Sequence, residues 1–386
     1  MIYLDNASTT QIDDEVLEAM MPYMKGNYGN PGNIYKLGRE SANAIAKARE
    51  QVADLIGALP NEILFTSGGT EANNIAIRAT KLPALRKEVL CSAVEHDSVI
   101  ASVETMRSHL STERAFIPVD SNGIVDLAEF EKMITHRTGL VSVMYVNNET
   151  GAVNPIKSVS KICSKNNILF HTDCVQAVTC KEINVDDIGC DLLSISSHKI
   201  HGPKGVGALF ARDIESLNPF IVGGKAQEYG IRSGTENVAA IVGFGKACEI
   251  QKRIGAFDYT RMREEFLGIL VRELTKYGVK SNEYFLNGKQ GVNDHGKVIN
   301  ISFKNVDGES LVLMLDAADV CISSGSACRS HETLPSRVLK AMGLSDDDAH
   351  GSVRISFSRM TTEDDIEIGA RELARCVNVM HKIMRG

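Results

Sequence analysis

Between residues 60 and 210 the chain alternates short β-rich runs with helical patterns, and its chemically interesting polar residues fall just after the runs. Glu62-Ile63-Leu64-Phe65-Thr66 reads as a strand, followed by Ser67-Gly68-Gly69-Thr70 and a helix to Arg78. Val89-Leu90-Cys91 is a second strand, with Glu95-His96 beyond it, and Leu140–Val146 is a third, ending in Asn147-Asn148-Glu149. Ile168–Asp173, Asp191–Ile195 and Val206–Phe210 complete the series. Such alternation predicts an α/β fold whose mostly parallel sheet is covered on both faces. In open α/β sheets ligands bind at the carboxyl ends of the strands, so these polar residues are expected to share one site.

At 386 residues the chain exceeds one ordinary domain. Ser41–Gly57 reads as a helix with one apolar stripe (Ile45, Ala48, Val52, Leu55, Ile56) and Gly57 as its cap. The style changes beyond about residue 255, which puts a boundary near 250. Residues 260–277 are helical, Val298–Phe303 and Val353–Phe357 alternate as half-exposed strands would, and Glu363–Met384 is a closing helix. The expected division is a large domain over 14–250 and a smaller α+β domain formed by 1–13 and 251–386.

Net charge is −7 with signs mixed along the chain, so no basic stripe points to direct nucleic-acid binding. No apolar run approaches the ~20 residues that span a bilayer, and the amino-terminal residues do not read as a signal peptide. Nine cysteines are scattered without a Cys-x-x-Cys pair, which excludes a zinc knuckle or a thioredoxin-type motif. Most lie in apolar stretches, as buried thiols do, and a reducing cytoplasm is the expected compartment.

Lys199, in Ser196-Ser197-His198-Lys199, is delivered at the end of a buried strand and precedes the turn Ile200–Gly205. Partial desolvation there would make its amine nucleophilic, as a Schiff-base lysine requires. Ser196 and His198 lie beside it and could hold a phosphate. Upstream, Asp173 ends another strand and Gln176 follows three residues later. A lysine paired with a carboxylate that keeps a pyridine nitrogen protonated is the arrangement pyridoxal 5'-phosphate (PLP) needs. Gln176 could donate to the ring oxygen. Asp173 could equally cap the helix beginning near Cys174. Gly69 and Thr70 offer backbone N–H groups and a helix N-terminus to a phosphate, or simply let helix and strand pack closely. His96 could stack on a planar ring and move protons. Asn148 could reach cofactor or substrate, or serve as a turn asparagine. Arg354, between Val353 and Ile355, is the candidate for gripping a substrate carboxylate, against a partly exposed strand arginine in a surface ion pair.

The distinctive feature of the second half is Ser323-Ser324-Gly325-Ser326-Ala327-Cys328-Arg329-Ser330. These small or polar neighbours set Cys328 in a loop unlike the apolar surroundings of a structural thiol. Arg329 would favour its thiolate, the nucleophilic form.

With these residues in view, the chain resembles cysteine desulfurases of the group I (NifS/IscS-like) branch, class V aminotransferase relatives of PLP fold type I. The likeness runs from Tyr3-Leu4-Asp5-Asn6-Ala7-Ser8-Thr9-Thr10 to Arg354 and Thr361-Thr362-Glu363, almost the full length. The resemblance implies a seven-stranded, mostly parallel sheet in the large domain and an active cysteine loop at about 320–340 in the small one. It implies that Lys199 carries the PLP, Asp173 meets the ring nitrogen, Gln176 the phenolic oxygen, and His96 the ring face. Gly69, Thr70, Ser196 and His198 would bind the phosphate. Thr235, in Arg232-Ser233-Gly234-Thr235, would reach the phosphate of a neighbouring subunit, which implies a homodimer. Asn148 and Arg354 would hold the carboxylate of L-cysteine, and Cys328 would take its sulfur as a persulfide, leaving L-alanine. The persulfide would pass to a protein acceptor.

The sequence departs from the family pattern at three places. Asn30-Pro31-Gly32-Asn33-Ile34-Tyr35 stands where Asn-Pro-Ser-Ser and a histidine are common. Gly224-Lys225-Ala226-Gln227-Glu228-Tyr229 replaces a more glycine-rich stretch, and Arg329 replaces a threonine. These lie near loop and rim and bear on the acceptor, either iron–sulfur assembly or a dedicated thio-modification such as DNA phosphorothioation. Two alternatives stay open at this level: a selenocysteine lyase or related PLP lyase in which Cys328 is dispensable, and a non-catalytic sulfur-relay platform.

Overall fold

The computed structural model describes residues 1–110, 114–288, 295–324 and 335–385. The expected sheet is present, with seven strands: β1 (Ile63–Thr66), β2 (Glu88–Ser92), β3 (Arg114–Ile117), β4 (Thr138–Ser142), β5 (Leu169–Asp173), β6 (Leu192–Ser196) and β7 (Gly207–Ala211). Their spatial order is β1-β7-β6-β5-β4-β2-β3. β7 runs antiparallel to β1 and β6, and the remaining pairings are parallel. Where burial is described the strands are almost wholly buried, as a sheet covered on both faces requires. The β3 strand carries no run that the sequence marks out. The regular strand in the Leu140–Val146 run ends at Ser142, but the Val143 and Tyr145 N–H groups still donate to the His171 and Asp173 carbonyls of β5 at 3.1 and 3.0 Å.

Helix Lys36–Ile56 buries the expected stripe and ends at Gly57, whose φ of 69° is the left-handed conformation a glycine cap supplies. It packs on helix Val238–Ile254. The buried pair Arg49–Glu228 joins it to the sheet edge: Glu228 Oε2 accepts from Phe65 N–H at 2.7 Å, and Oε1 lies 2.5 Å from Arg49 Nη2.

A second sheet of four antiparallel strands follows: β8 (Tyr284–Leu286), β9 (Val298–Phe303), β10 (Ser323–Ser324) and β11 (Ser352–Ser356), in the order β10-β11-β9-β8. β9 and β11 are buried at every position, not half-exposed. The polar members of their alternation (Asn300, Ser302, Arg354, Ser356) face hydrogen-bonding partners inside the protein instead of water. Helices Thr260–Lys276 and Glu363–Arg385 pack together beside them. The amino-terminal strand Ile2–Tyr3 pairs in parallel with Val320–Cys321, and Asp5 bridges to Ser356. The chain start is therefore stitched to the second sheet before it crosses to the first. Among the described residues no helix is long and apolar enough to cross a membrane, and the eight described cysteines are free thiols.

Candidate active site

The carboxyl ends of β1, β4, β5 and β6 and the segment after β2 open onto one cavity of about 400 Å³. Ten of the expected residues converge there: Gly69, Thr70, His96, Asn148, Asp173, Gln176, Ser196, His198, Lys199 and Arg354 all line it. Thr235 is exposed and lies apart from it. Cys328 and Arg329 lie outside the described residues.

Lys199 ends the short 3-10 turn Ser197–Lys199 that follows β6, where the chain must reverse to enter β7. Its Nζ donates to the carbonyls of Ala7 (2.6 Å) and Ser8 (2.5 Å), so the amino-terminal segment holds the amine at the cavity wall. Asp173, 3% exposed, closes β5. It serves as cap and cavity carboxylate at once. Oδ1 accepts from Val175 N–H at 2.9 Å, as a cap does, and Oδ2 accepts from Asn73 Nδ2 at 2.7 Å.

Asn73 is not marked out by the sequence pattern. Its amide also donates to Ser98 Oγ at 2.9 Å, and Ser98 in turn contacts His96 Nδ1 through its hydroxyl (2.8 Å) and its N–H (3.1 Å). With Nδ1 accepting, the ring proton of His96 sits on Nε2. Burial lowers the pKa of His96, so the ring is neutral at pH 7. One hydrogen-bonded chain thus joins His96, Ser98, Asn73 and Asp173. The one clue to Asn73 is its position four residues after Gly69, one helical turn along the same face.

The Ser67–Thr70 turn is shaped for an anion. Gly68 has φ 153°, a conformation that side chains disfavour, and it starts helix Gly69–Arg78. A Cβ at Gly69 would meet Val175 Cγ2 at 2.8 Å and Ser196 Cβ at 3.6 Å, so any larger residue here must displace Val175. Glu71 ties the turn down, accepting from Ser67 N–H and pairing with Arg232. Ser196 Oγ is buried beside this helix start without a hydrogen-bond partner among the described residues. His198 places Nδ1 3.1 Å from Thr9 Oγ1, and burial lowers its pKa to about 4, so it is a neutral polar group.

On the other side, Arg354 comes from β11 and is 3% exposed, which excludes a surface ion pair. Nη2 donates to Asp5 Oδ1 (2.8 Å) and Ser8 Oγ (2.6 Å), Nη1 donates to the Asn148 carbonyl (3.0 Å), and Nε is buried without a partner among the described residues. Of the two adjacent asparagines, Asn147 makes the turn, its Oδ1 accepting from the N–H groups of Glu149 and Thr150. Asn148 is left facing the cavity. Gln176 donates from Nε2 to the Ala7 carbonyl at 2.7 Å.

These residues fit a phosphorylated pyridine. A hydroxyl with nothing to bond, at the N-terminus of a ten-residue helix, suits a phosphate. A buried carboxylate lining the same cavity suits a protonated ring nitrogen, and the Lys199 amine suits a covalent link to an aldehyde.

Comparison with known proteins agrees. Residues 2–368 match the family model for aminotransferase class-V. The cysteine desulfurase IscS of Dictyoglomus turgidum is 43% identical over 389 residues, covering 99% of this chain and 96% of that protein. Among solved structures, a NifS-like protein superposes with a TM-score of 0.87 at 32% identity, over 98% of this chain and 99% of that one. A structure described as SspA in complex with cysteine gives 0.78 at 33% identity, over 92% and 99%. The sheet is that of PLP fold type I, and the chain belongs to the PLP-dependent class V aminotransferase family, in its cysteine desulfurase branch.

Proposed function

We propose that the protein is an L-cysteine desulfurase that collects sulfur as a persulfide on Cys328. The observation that carries this reading is the single cavity that brings Lys199, Asp173, the Gly69–Thr70 turn, the partnerless Ser196 hydroxyl and Arg354 together. When bound, PLP supplies an electron sink for the carbon adjoining the substrate amine. Asp173 and Asn73 hold a negative charge where the ring nitrogen is to stay protonated, and Ser196, His198 and the helix N-terminus take the phosphate. Arg354 and Asn148 orient the substrate carboxylate. Lys199 Nζ takes the α-proton, and His96, neutral with its proton on Nε2, relays protons nearby. The Cys328 thiolate forms an S–S bond to the substrate sulfur as the substrate C–S bond breaks. The carbon skeleton gains a proton and leaves as L-alanine.

The protein acceptor serves iron–sulfur assembly or a dedicated thio-modification such as DNA phosphorothioation. The departures at Tyr35, Tyr229 and Arg329 are the reason to weigh the second. We also propose a homodimer, supported by Thr235, which is exposed and outside its own chain's cavity and so placed to contribute in trans. The two separate sheets support a division into 14–250 and 1–13 plus 251–386, and the free thiols among the described residues support a reducing cytoplasm.

The test is incubation of the PLP-loaded protein with L-cysteine, with alanine and sulfide measured. Cys328→Ala is expected to keep the visible band and lose sulfide release, whereas Lys199→Ala loses both. Full activity in Cys328→Ala would favour a selenocysteine or related lyase. An inert wild type that develops no visible band with PLP would favour a relay platform.

A further inference from the structure

Lys297 is 1% exposed, among the largest fully buried side chains of the protein. Its backbone is fixed next to β9: its N–H donates to His295 Nδ1 at 3.1 Å, and its carbonyl accepts from Phe357 N–H at 2.9 Å. From this base the side chain reaches the wall of the cavity described above. Nζ donates to Thr179 Oγ1 at 2.8 Å and to Gln176 Oε1 at 3.3 Å. No carboxylate pairs with it among the described residues.

A glutamine amide has two ends of nearly equal shape and opposite hydrogen-bonding character. An ammonium group only donates, so it can hold only the oxygen end. With Oε1 taken by Lys297, the Gln176 NH2 must face Ala7, itself a lining residue, and Nε2 spends one hydrogen on the Ala7 carbonyl. The other hydrogen remains for a ligand. Among the described residues, the groups facing Lys297 leave its charge uncompensated. His295 and His201 are held neutral by burial, with pKa values of about 3 and about 4, the Cys180 thiol is pushed up to about 11, and Arg354 is a cation. Burial lowers Lys297 itself to about 8, so it stays mostly protonated at pH 7. Burying an uncompensated ammonium is costly, and a structural role would be served as well by an apolar chain of the same length.

We propose that Lys297 is a positioning residue for the coenzyme, locking the Gln176 amide so that it offers an N–H to the ring oxygen and setting a positive charge behind that contact. This rests on the PLP reading above. The experiment titrates the dialysed protein with PLP and records dissociation constant and visible absorption maximum for wild type, Lys297→Met, Gln176→Leu and the double variant. Lys297→Met is expected to bind about tenfold more weakly and to shift the absorption maximum. In the Gln176→Leu background the same substitution should change affinity by less than about twofold, since coupled residues are not additive. Lys297→Gln, shorter but still a donor, should fall between wild type and Lys297→Met. If circular dichroism finds Lys297→Met unfolded, the comparison is made with Lys297→Gln. A wild type that binds PLP while the folded Lys297 variant matches its affinity and spectrum overturns the proposal. So do effects of the two substitutions that simply multiply. A wild type that develops no visible band overturns the PLP reading, and this proposal with it.

Discussion

Replacing Asn73 by alanine removes the side chain through which Asp173 and His96 are connected. The bond lost from Asp173 is 2.7 Å long and joins residues 1% and 3% exposed. It ends on a carboxylate that must be ionised to face a protonated ring nitrogen. A hydrogen bond to a charged group contributes about 1.5–3 kcal/mol. The second bond, to Ser98 at 2.9 Å, contributes less, in the range of about 0.5–1.5 kcal/mol. In the coenzyme-free variant water can fill the space vacated by the amide and restore part of this. A bound ring closes the cavity against that water, so the deficit emerges on binding. A net loss of about 1.4–2 kcal/mol corresponds to coenzyme binding weakened about 10- to 30-fold. Titration of the dialysed variant with PLP, followed by visible absorbance, measures it, and thermal unfolding of the coenzyme-free protein measures the structural part separately. The reasoning is refuted if Asn73→Ala binds PLP within about twofold of wild type while remaining folded.

Two further outcomes are expected. Gly69→Ala drives a methyl group into Val175 Cγ2, 2.8 Å away, and should weaken PLP binding at least about tenfold by distorting the helix start. Val175→Ala in the same chain should recover most of that loss, and a double variant no better than the single would count against the packing explanation. Glu95 is 1% exposed, with its pKa raised from 4.5 to about 8 chiefly by burial. The folded state therefore binds the proton more tightly than the unfolded one. Stability should be full below pH 4.5, fall as pH rises toward 8, and level off above it. The fall amounts to several kcal/mol, since each pH unit between the folded and unfolded pKa contributes about 1.36 kcal/mol. Urea midpoints for Glu95→Gln should show a flatter dependence over this window, and an identical slope in both proteins would reject the assignment.

The strand-terminal residues are legible because each lies within a few positions of an apolar run, and sheet topology does the rest. Lys199, Asp173 and Ser196 need only that rule. Arg354 is legible as a candidate but not in its surroundings, since its partners Asp5 and Ser8 stand almost 350 residues away in sequence. Asn73 and Lys297 escape sequence reasoning for a related cause. Their roles are defined by what they touch, at separations of 100 and 121 residues, and neither type is unusual at its local position. The half-exposed expectation for β9 and β11 fails because alternation reports polarity, not solvent. A strand whose polar face meets asparagines, serines and an arginine inside the protein has the same pattern as one facing water.

The first ten residues bind Lys199 through two carbonyls, Gln176 through one of the same carbonyls and Arg354 through two side chains, while Ile2–Tyr3 pair with the strand just before Ser323. Mechanical load or a bulky fusion at the amino end would thus be transmitted straight to the reactive amine and the carboxylate grip. Immobilisation, fluorescent labelling or force experiments on this protein should be anchored instead through the closing helix, which carries none of the cavity's lining residues.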